Sequence, residues 1–491
     1  MKKTEQNLVP NTQNPTPDYY CTWQTQLYAT SDGKPEGQRR CLSEEALFGE
    51  AAPYGWANFY PEARRDLFLV IDDSWDVPKS GDPAFFGSLQ LDREKFPHAT
   101  QGAPSHAAAL RSLVDCVTAR GWKGLGGWVC AQEAEAFFAG DADEYWKERF
   151  LIMQEAGFAY WKVDWGRHAA DLAFRRRLTE LAKQYAPALV VEHAMLPEII
   201  PYSDVFRTYD VPAIMSIPMT MEKIVALAAE LTAPAEGLGL LNCEDEAYIA
   251  AAGGFSMCIM RHPYAGPLPN GRADMSFPAV HRDLKRRMYE VVRAARWHRL
   301  APAFHGGSFT LSPNKLTDHW CFAAQEEELE AWWLDAPAVA DRITGNVWQM
   351  EAPAAFARNT ALPQAVPDEE GLTPYLVASR FPNGAYAVAA LGRTVGRRYL
   401  VPSCDVSIEA DGASTIGIFG LYRSLTVKTD LPARQVLLQD LAGERAYDIT
   451  EDIRRLPGAL VLPGHLITKI GTEAQPPSDL SEPGAVLRLL P

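Results

Sequence analysis

The chain has 491 residues and a formal net charge of -15, with 62 Asp and Glu against 47 Lys and Arg. This acidic balance argues against nucleic acid and anionic membrane surfaces as partners, because both require a basic footprint. The length suffices for two or three domains with a large core, and a hydrophobic content of 47% is ordinary for a globular protein.

The eight cysteines show no CxxC spacing and no dense disulfide framework. We therefore predict reduced thiols in a cytoplasmic protein. Two lysines stand near the start of the chain, but no apolar stretch follows them as it would in a secretory signal. No run of about 18 apolar residues predicts a membrane span. We expect no membrane partner, and the sequence leaves the oligomeric state open, a homo-oligomer included.

Taken in chain order, the sequence up to residue 305 alternates strand-like and helix-like segments. Strands are predicted at 19–29, 67–75, 124–133, 158–166, 188–194, 203–211, 237–245 and 254–263. Helices are predicted at 106–121, 143–157, 171–186, 219–233 and 282–299, and a long loop at 31–40. Eight strands, most of them separated by helices, predict an α/β fold, a (β/α)8 TIM barrel.

Beyond residue 305 the helical spacing largely disappears, and short apolar runs alternate with Gly, Pro and Asp turns. This pattern predicts an all-β sandwich domain after the barrel. The predicted organisation is a polar N-terminal lead at 1–17, the catalytic barrel at 18–305, a linking or partly covering segment at 306–372 and the C-terminal sandwich at 373–491.

The stretch FAYWKVDWG, residues 158–166, carries the functional argument. In a strand, the two-residue period puts Tyr160, Lys162 and Asp164 on one face. Lys and Asp are rarely buried without partners, so we predict that Lys162 and Asp164 face a cavity and that the ammonium keeps the carboxylate ionised. A purely structural ion pair within one strand is the alternative.

Polar residues also follow other predicted strands. Asp72 and Asp73 come directly after five apolar residues, where two adjacent acids suggest a grip on a ligand more than a turn. Glu192 and His193 end a later strand and differ in facing, and Glu192 is predicted to point inward. Because barrels of this kind place their chemistry at the carboxyl ends of the strands, these residues predict an active site there.

The motifs YYCTWQ, VIDDSW, LDREKFP, GGWV, KVDWG and FRTYD occur in the order found in clan D glycoside hydrolases, families 27 and 36. The chain resembles this group from residue 18 to about residue 300. The group includes α-galactosidases, α-N-acetylgalactosaminidases and raffinose-synthase-type enzymes. The resemblance implies hydrolysis of a terminal α-galactoside, or of a closely related α-linked sugar, with no cofactor and no metal ion. The large N-terminal sandwich of family 36 is missing.

The resemblance also implies individual roles in a retaining, double-displacement mechanism. Asp164 matches the nucleophile, and Asp210 matches the acid/base, with Arg207 as its neighbour. The family's acid/base often stands one residue further from the arginine, where this chain has Val211, so Asp204 stays a rival. The positions predicted to contact the sugar are Asp72, Asp73, Lys162, Trp23, Trp128, Glu192 and Arg207.

Glycoside cleavage requires these parts on physical grounds as well. One carboxylate must be ionised to attack the anomeric carbon, and another must be protonated to release the leaving oxygen. A retaining geometry predicts that the carboxyl groups of Asp164 and Asp210 lie about 5–6 Å apart. Trp165 stands where the family commonly has Asn or Cys after the nucleophile, so we expect it to reshape the pocket.

Other hypotheses stay open at this point. Asp164, Glu192 and Asp210 could bind a divalent metal in an enolase-type lyase or racemase. Lys162 could form a Schiff base if burial depressed its pKa. A transglycosylase or a non-catalytic sugar-binding relative would share the same pocket. For the glycosidase, a cytoplasmic location suggests small oligosaccharide substrates.

Overall fold

The computed structural model describes residues 1–30, 35–51, 53–208, 215–264, 286–321, 343–344 and 347–491. Asp210 lies outside these residues, as do the end of the predicted strand at 203–211 and the first part of the predicted helix at 282–299. The structure described below is that of the remaining chain.

Eight parallel strands close into a barrel, which confirms the predicted α/β barrel fold. The first strand pairs with both the second and the eighth, so that Tyr19 lies beside Phe68 on one side and Cys258 on the other. The strands are shorter than predicted, and all but the fifth are wholly buried. In order they are Tyr19–Cys21, Phe68–Ile71, Gly124–Val129, Tyr160–Val163, Val190–His193, Val205–Arg207, Leu240–Glu244 and Ser256–Ile259.

Helices surround the barrel, and local capping explains where several of them begin. Ser105, Asp141 and Asp171 each accept a hydrogen bond from a backbone N–H of the first helical turn. The α-helices are Trp23–Thr30, Pro35–Cys41, Glu44–Phe48, Pro97–Thr100, His106–Ala119, Ala142–Ala156, Leu172–Tyr185, Ser216–Ala226, Ala228–Thr232, Ala247–Gly253 and Met288–His298. Short 3-10 helices lie at Trp56–Asn58, Arg64–Asp66, Pro83–Phe85 and Pro197–Tyr202. None of the helices in the described part of the chain is long and apolar enough to cross a membrane.

The region after the first barrel strand differs from its prediction. The strand predicted at 19–29 ends at Cys21, and Trp23–Thr30 is a helix. The predicted loop at 31–40 contains most of the helix Pro35–Cys41. The side chain of Gln26 explains the first difference, since it donates to the backbone carbonyls of Gln38 and Asp73 and so fixes a helix where aromatic composition favoured a strand.

The C-terminal half forms three sheets, and two of them pack face to face as the predicted sandwich. A nine-stranded sheet contains Lys2–Lys3, Tyr447–Asp448, Gln435–Asp440, Gly484–Leu490, Thr415–Gly420, Tyr386–Leu391, Tyr375–Arg380, Ala355–Arg358 and Phe309–Leu311. The sheet packed on it contains Gln364–Val366, Asp405–Glu409, Ser424–Lys428, Ala459–Pro463 and Arg454–Leu456. The third sheet contains Ile343–Thr344, Val347–Pro353, Lys315–Cys321, Arg393–Gly396 and Arg398–Leu400, and a helix lies at Gly464–Gly471.

Two segments that were not predicted to form strands belong to these sheets. Segment 306–372, predicted to link or partly cover, contributes strands to all three sheets, and Trp348 and Met350 alternate into a buried face. Lys2–Lys3, within the predicted polar lead, pairs with Tyr447–Asp448. Both differences arise because strand partners distant in sequence supply the hydrogen bonds.

The barrel and the nine-stranded sheet share one hydrophobic core. Phe419 of that sheet packs against Tyr248 and Trp297 of two barrel helices, with ring centroids 4.9 and 6.1 Å apart. Arg293 of the last barrel helix forms a buried ion pair with Asp440 of the sheet at 2.9 Å. The β-rich half therefore braces the outer helices of the barrel and leaves the strand ends to the loops.

Candidate active site

The interior of the barrel is apolar between the strands and charged at their carboxyl ends. Tyr19, Phe68, Val70 and Tyr160 belong to one buried cluster inside the strands. Above it, charged and polar side chains point inward from the strand ends. These are Asp72, Trp128, Lys162, Asp164, Glu192, Arg207, Asn242 and Glu244. The alternation predicted for Tyr160, Lys162 and Asp164 is the one observed.

Asp164 lies at the carboxyl end of the fourth barrel strand between a cation and a hydrogen-bond donor. The indole N–H of Trp128 donates to Oδ2 at 3.1 Å, and Nη2 of Arg207 lies 3.0 Å from Oδ1. The Arg207 contact is an ion pair without hydrogen-bond alignment, and Oδ1 accepts no aligned hydrogen bond from the described residues. One carboxylate oxygen is thus held by a hydrogen bond from Trp128, and the other is paired with the Arg207 guanidinium.

Burial raises the pKa of the Asp164 carboxyl, but the charges of Arg207 and Lys162 and the Trp128 N–H outweigh burial and leave that pKa below its usual value. The carboxyl is therefore ionised at neutral pH, as predicted, although the nearest cation is Arg207.

Arg207 also lies 3.5 Å from Oε1 of Glu244, at the end of the seventh barrel strand. The sequence motifs assign no role to Glu244. Burial lowers the pKa of Arg207, but Asp164 and Glu244 reverse that effect and raise it well above the usual value. One guanidinium thus balances two carboxylates at neighbouring strand ends.

Lys162 forms its ion pair with Asp72, at 2.6 Å between Nζ and Oδ2. The Cys21 thiol donates to the same oxygen at 2.9 Å, and the Asp72 backbone N–H donates to Thr22. Burial and Arg207 lower the pKa of Lys162, but Asp72 outweighs both, and the net pKa is raised. A Schiff base requires a neutral amine, so this environment disfavours the aldolase hypothesis.

Asp73 is engaged by Arg39, a residue that the sequence analysis did not single out. The Arg39 guanidinium makes a two-pronged contact with the carboxylate, with a closest N to O distance of 3.0 Å. It also lies 5.0 Å from the ring centre of Phe86 and 5.5 Å from that of Trp165. Burial raises the pKa of Asp73 to about 7 despite the hydrogen bonds from Arg39.

Glu192 points into the barrel, as predicted, and lies deep within it. The hydroxyls of Tyr19 and Tyr160 donate to its two oxygens at 2.9 and 2.7 Å, and the Asn242 amide donates at 2.9 Å. The neighbouring His193 faces outward instead. Protein donors therefore engage both oxygens of Glu192 at the bottom of the charged layer, where it meets the buried cluster of Tyr19 and Tyr160.

Arg175 anchors the nucleophile candidate from behind. This buried side chain of helix Leu172–Tyr185 donates to the backbone carbonyls of Asp164 at 2.6 Å, Ala169 at 2.8 Å and Val163 at 3.3 Å. It also lies 3.2 Å from Nδ1 of His193. Burial and the Arg175 charge hold the pKa of His193 well below its usual value, so the imidazole is neutral.

The remaining predicted site residues are placed as follows. Trp23 is half-buried beside the interior cluster, at the start of the helix that follows the first strand. Asp204 directly precedes the sixth strand, at the amino end of the barrel, and accepts a hydrogen bond from the Val191 N–H at 3.0 Å. It lies at the end opposite Asp164, which removes it as the rival acid/base. Asp210 lies outside the described residues, and its predicted distance from Asp164 stays a prediction.

The acidic residues proposed for a metal do not converge where they are described. Asp164 and Glu192 are turned to different donors, and no group of three His, Cys, Asp or Glu side chains suited to a metal ion occurs among the described residues. This geometry gives the enolase-type hypothesis no support. A cavity of about 520 Å³ lies elsewhere, lined by Arg40, Glu44, Lys79, His98 and Cys116 among others, and none of the charged residues inside the barrel lines it.

Among the comparisons with known proteins, only the comparison of three-dimensional structures finds similar proteins. No family model matches the chain, and no curated protein matches it. A family 27 β-L-arabinopyranosidase from Geobacillus stearothermophilus is 10% identical with a TM-score of 0.44, and the match covers 97% of each chain. An α-galactosidase from Saccharomyces cerevisiae is 11% identical with a TM-score of 0.37, covering 97% of this chain and 98% of that one. An Anoxybacillus α-amylase is 10% identical with a TM-score of 0.44, covering 97% and 98%.

Proposed function

We propose that the protein is a retaining α-glycosidase that releases a terminal α-galactosyl or closely related α-linked sugar. The observation that supports this most directly is the setting of Asp164. Its carboxylate is ionised at the mouth of a barrel, Trp128 fixes one oxygen, and the other accepts no aligned hydrogen bond from the described residues. This arrangement suits a nucleophile that forms one new bond to carbon.

In the proposed first step, Oδ1 of Asp164 attacks the anomeric carbon and the bond to the leaving oxygen breaks. Asp210 gives its proton to that oxygen, so the leaving group departs as a neutral alcohol. In the second step Asp210 removes a proton from water, the resulting hydroxide attacks the same carbon, and the ester bond to Asp164 breaks. The protein returns to its starting charge, and the sugar keeps its anomeric configuration.

The other charged residues bind and orient the sugar in this proposal. Asp72 and Asp73 accept hydrogen bonds from sugar hydroxyls, and Lys162 donates to a hydroxyl while it compensates Asp72. Arg207 favours the ionised nucleophile between turnovers. Trp23 and Trp128 form apolar walls for the C–H faces of the ring. Glu192 supports the floor of the pocket through Tyr19 and Tyr160.

The proposal also covers the location, the substrate and the partners of the protein. We place the protein in the cytoplasm with a small oligosaccharide or other α-glycoside as substrate, and without a cofactor, a metal ion, a nucleic acid or a membrane as partner. The unlinked cysteines and the acidic charge support this assignment.

The test is release of nitrophenol from a panel of α- and β-glycosides, in the presence of a chelator, by the parent protein and by Asp164→Asn. The proposal predicts turnover of one α-glycoside that is lost in the variant and is insensitive to the chelator. Asp204→Asn is a matched control that should keep activity. If the folded parent turns over no glycoside, or if Asp164→Asn stays active, the proposal fails.

A further inference from the structure

A series of aromatic rings leads from the catalytic carboxylate to the protein surface. Trp128, which donates to Asp164, lies 5.2 Å from Trp165 between ring centres, and Trp165 lies 4.9 Å from Phe86. Phe85 directly precedes Phe86 in the chain and packs on the same cluster, and its ring lies 5.3 Å from that of Phe137. We call Trp165, Phe86, Phe85 and Phe137 the aromatic track.

The aromatic track is built on loops at the carboxyl end of the barrel. Phe85 and Phe86 lie in the loop after the second strand, Phe137 after the third and Trp165 directly after the fourth. Loops at this end of such barrels surround the substrate. The track therefore opens from the same mouth as Asp164, on the side where the chain departs from the family motif at Trp165.

Backbone contacts hold the loops of the track together. The Ala136 N–H donates to the Ala84 carbonyl at 3.0 Å, and Tyr145 bonds through its hydroxyl to both Gly87 and Ala134. Gly87 has a φ of 85° and lies so close to the Gln132 carbonyl that a Cβ could not be accommodated. A surface fixed in this way loses little conformational entropy when a ligand covers it.

The outer part of the track presents apolar rings to solvent. Phe137 is 40% exposed, and Phe85 and Trp165 are partly exposed. The charged side chains beside them are paired with protein groups, since Arg39 binds Asp73 and Arg167 binds Glu135. The inner end is covered by the Arg39 guanidinium, which leaves the outer rings as the exposed apolar surface.

We propose that the aromatic track is the leaving-group site and that it takes a flat, apolar aglycone such as an aryl group. This inference rests on the proposed glycosidase function and specifies its substrate class. Phe85 and Phe137 offer ring faces and edges but no hydrogen-bonding group, so they complement an aromatic ring better than the hydroxyls of a second sugar. The sugar itself sits over Asp164, and the aglycone lies against the exposed faces of the outer rings, outside the buried Trp128 and Phe86.

The first test compares methyl, naphthyl and disaccharide α-glycosides of the one sugar that the protein accepts. The aglycone preference is the ratio of kcat/KM for the naphthyl glycoside to that for the methyl glycoside. Phe85→Ala and Phe137→Ala should each lower this ratio by about tenfold, because each removes apolar surface that only the aryl group covers. Phe138→Ala is the matched control, since Phe138 is 37% exposed but packs on Tyr145, and it should leave the ratio unchanged. An unchanged ratio in both track variants, or a parent that prefers the disaccharide to the naphthyl glycoside, overturns the inference.

A second measurement separates this inference from the proposed reaction. Calorimetric titration of the naphthyl glycoside into Asp164→Asn protein measures occupancy without turnover. Adding Phe137→Ala to that variant should weaken binding about tenfold, whereas adding Phe138→Ala should not. If the naphthyl glycoside binds through Phe137 but no glycoside is turned over by the parent, the reaction is wrong and the site stands. If glycosides are turned over and binding is indifferent to Phe137, the site is wrong and the reaction stands.

Discussion

Lys162 of the fourth barrel strand pairs with Asp72, which follows the second, with Nζ and Oδ2 at 2.6 Å and both side chains 3% exposed. Removing one partner of a buried ion pair leaves an uncompensated charge, whereas removing both does not. We therefore expect Lys162→Met to lower the free energy of unfolding by roughly 3–5 kcal/mol. Urea denaturation followed by circular dichroism measures this loss.

The double variant Lys162→Met with Asp72→Asn is the control for that prediction. It should be more stable than Lys162→Met alone, because the orphaned carboxylate is gone. A loss below about 0.5 kcal/mol in the single variant, the range of ordinary surface substitutions, would contradict the buried pair.

Arg207 lowers the pKa of Asp164, and Glu244 shares the same guanidinium. Arg207→Gln should therefore move the acidic limb of the kcat/KM profile to higher pH and reduce kcat/KM at its optimum by roughly a hundredfold. Glu244→Gln removes a competitor for the guanidinium and should move the limb to lower pH. The measurement is the pH dependence of kcat/KM for the three proteins.

Because Arg207→Gln and Glu244→Gln should shift the acidic limb in opposite directions, each variant is a control for the other. A general disturbance of the pocket would lower activity in both variants without displacing their limbs to opposite sides of the parent. Limbs that coincide in all three proteins would show that Asp164 does not govern the acidic side of the profile.

Asp73 should make stability depend on pH in a recognisable window. Burial raises its pKa to about 7 in the folded protein, against a usual value of 3.8. Between these values the folded state binds more protons than the unfolded state, so the contribution of Asp73 to stability falls as pH rises. Asp73→Asn should remove that part of the decline, and urea midpoints measured from about pH 4 to about pH 7 test it.

Asp143 provides the comparison for that titration. The hydrogen bond from Arg177 lowers the pKa of this exposed carboxyl, so its contribution is present above the unfolded value and is lost only as pH falls below it. Asp143→Asn should therefore run parallel to the parent across the window in which Asp73→Asn diverges. Parallel curves for both variants would contradict the raised pKa of Asp73.

Arg175 should position Asp164 without touching the substrate. Arg175→Lys loses the forked contact with the Asp164, Val163 and Ala169 carbonyls, so we expect kcat to fall about tenfold or more with little change in KM. Arg176→Lys, next to it on the same helix but exposed, should retain the parent kcat. Equal kcat values in the two variants would contradict a positioning role of Arg175.

Much of the site could be predicted from the two-residue period of single strands. That period placed Tyr160, Lys162 and Asp164 on one face and separated Glu192 from His193. The partner of Lys162 could not be predicted, because it depends on the register of neighbouring strands, in which Trp128 lies beside Lys162. The strand period predicted that Lys162 and Asp164 are neighbours. In the closed barrel, the Lys162 ammonium forms its ion pair with Asp72 instead.

Residues outside the strands were harder to predict. Arg39 lies on the helix Pro35–Cys41, within a stretch rich in Gly and polar residues that predicted a loop, and only tertiary packing brings it to Asp73. Arg175 looked like one of three consecutive arginines on a helix, and its burial follows from which helix face meets the barrel. Asp204 was distinguishable from Asp210 only once the start of the sixth strand was known.

The central claim is that Asp164 forms a covalent bond to the sugar during turnover. The most direct measurement is mass spectrometry of the protein after incubation with a fluorinated, slowly hydrolysed glycoside of the accepted sugar, followed by peptide mapping. The account predicts a mass increase of one fluorosugar, located on the peptide that contains Asp164. An adduct on another residue would contradict this role of Asp164. So would hydrolysis of the glycoside without any adduct and with a product of inverted configuration.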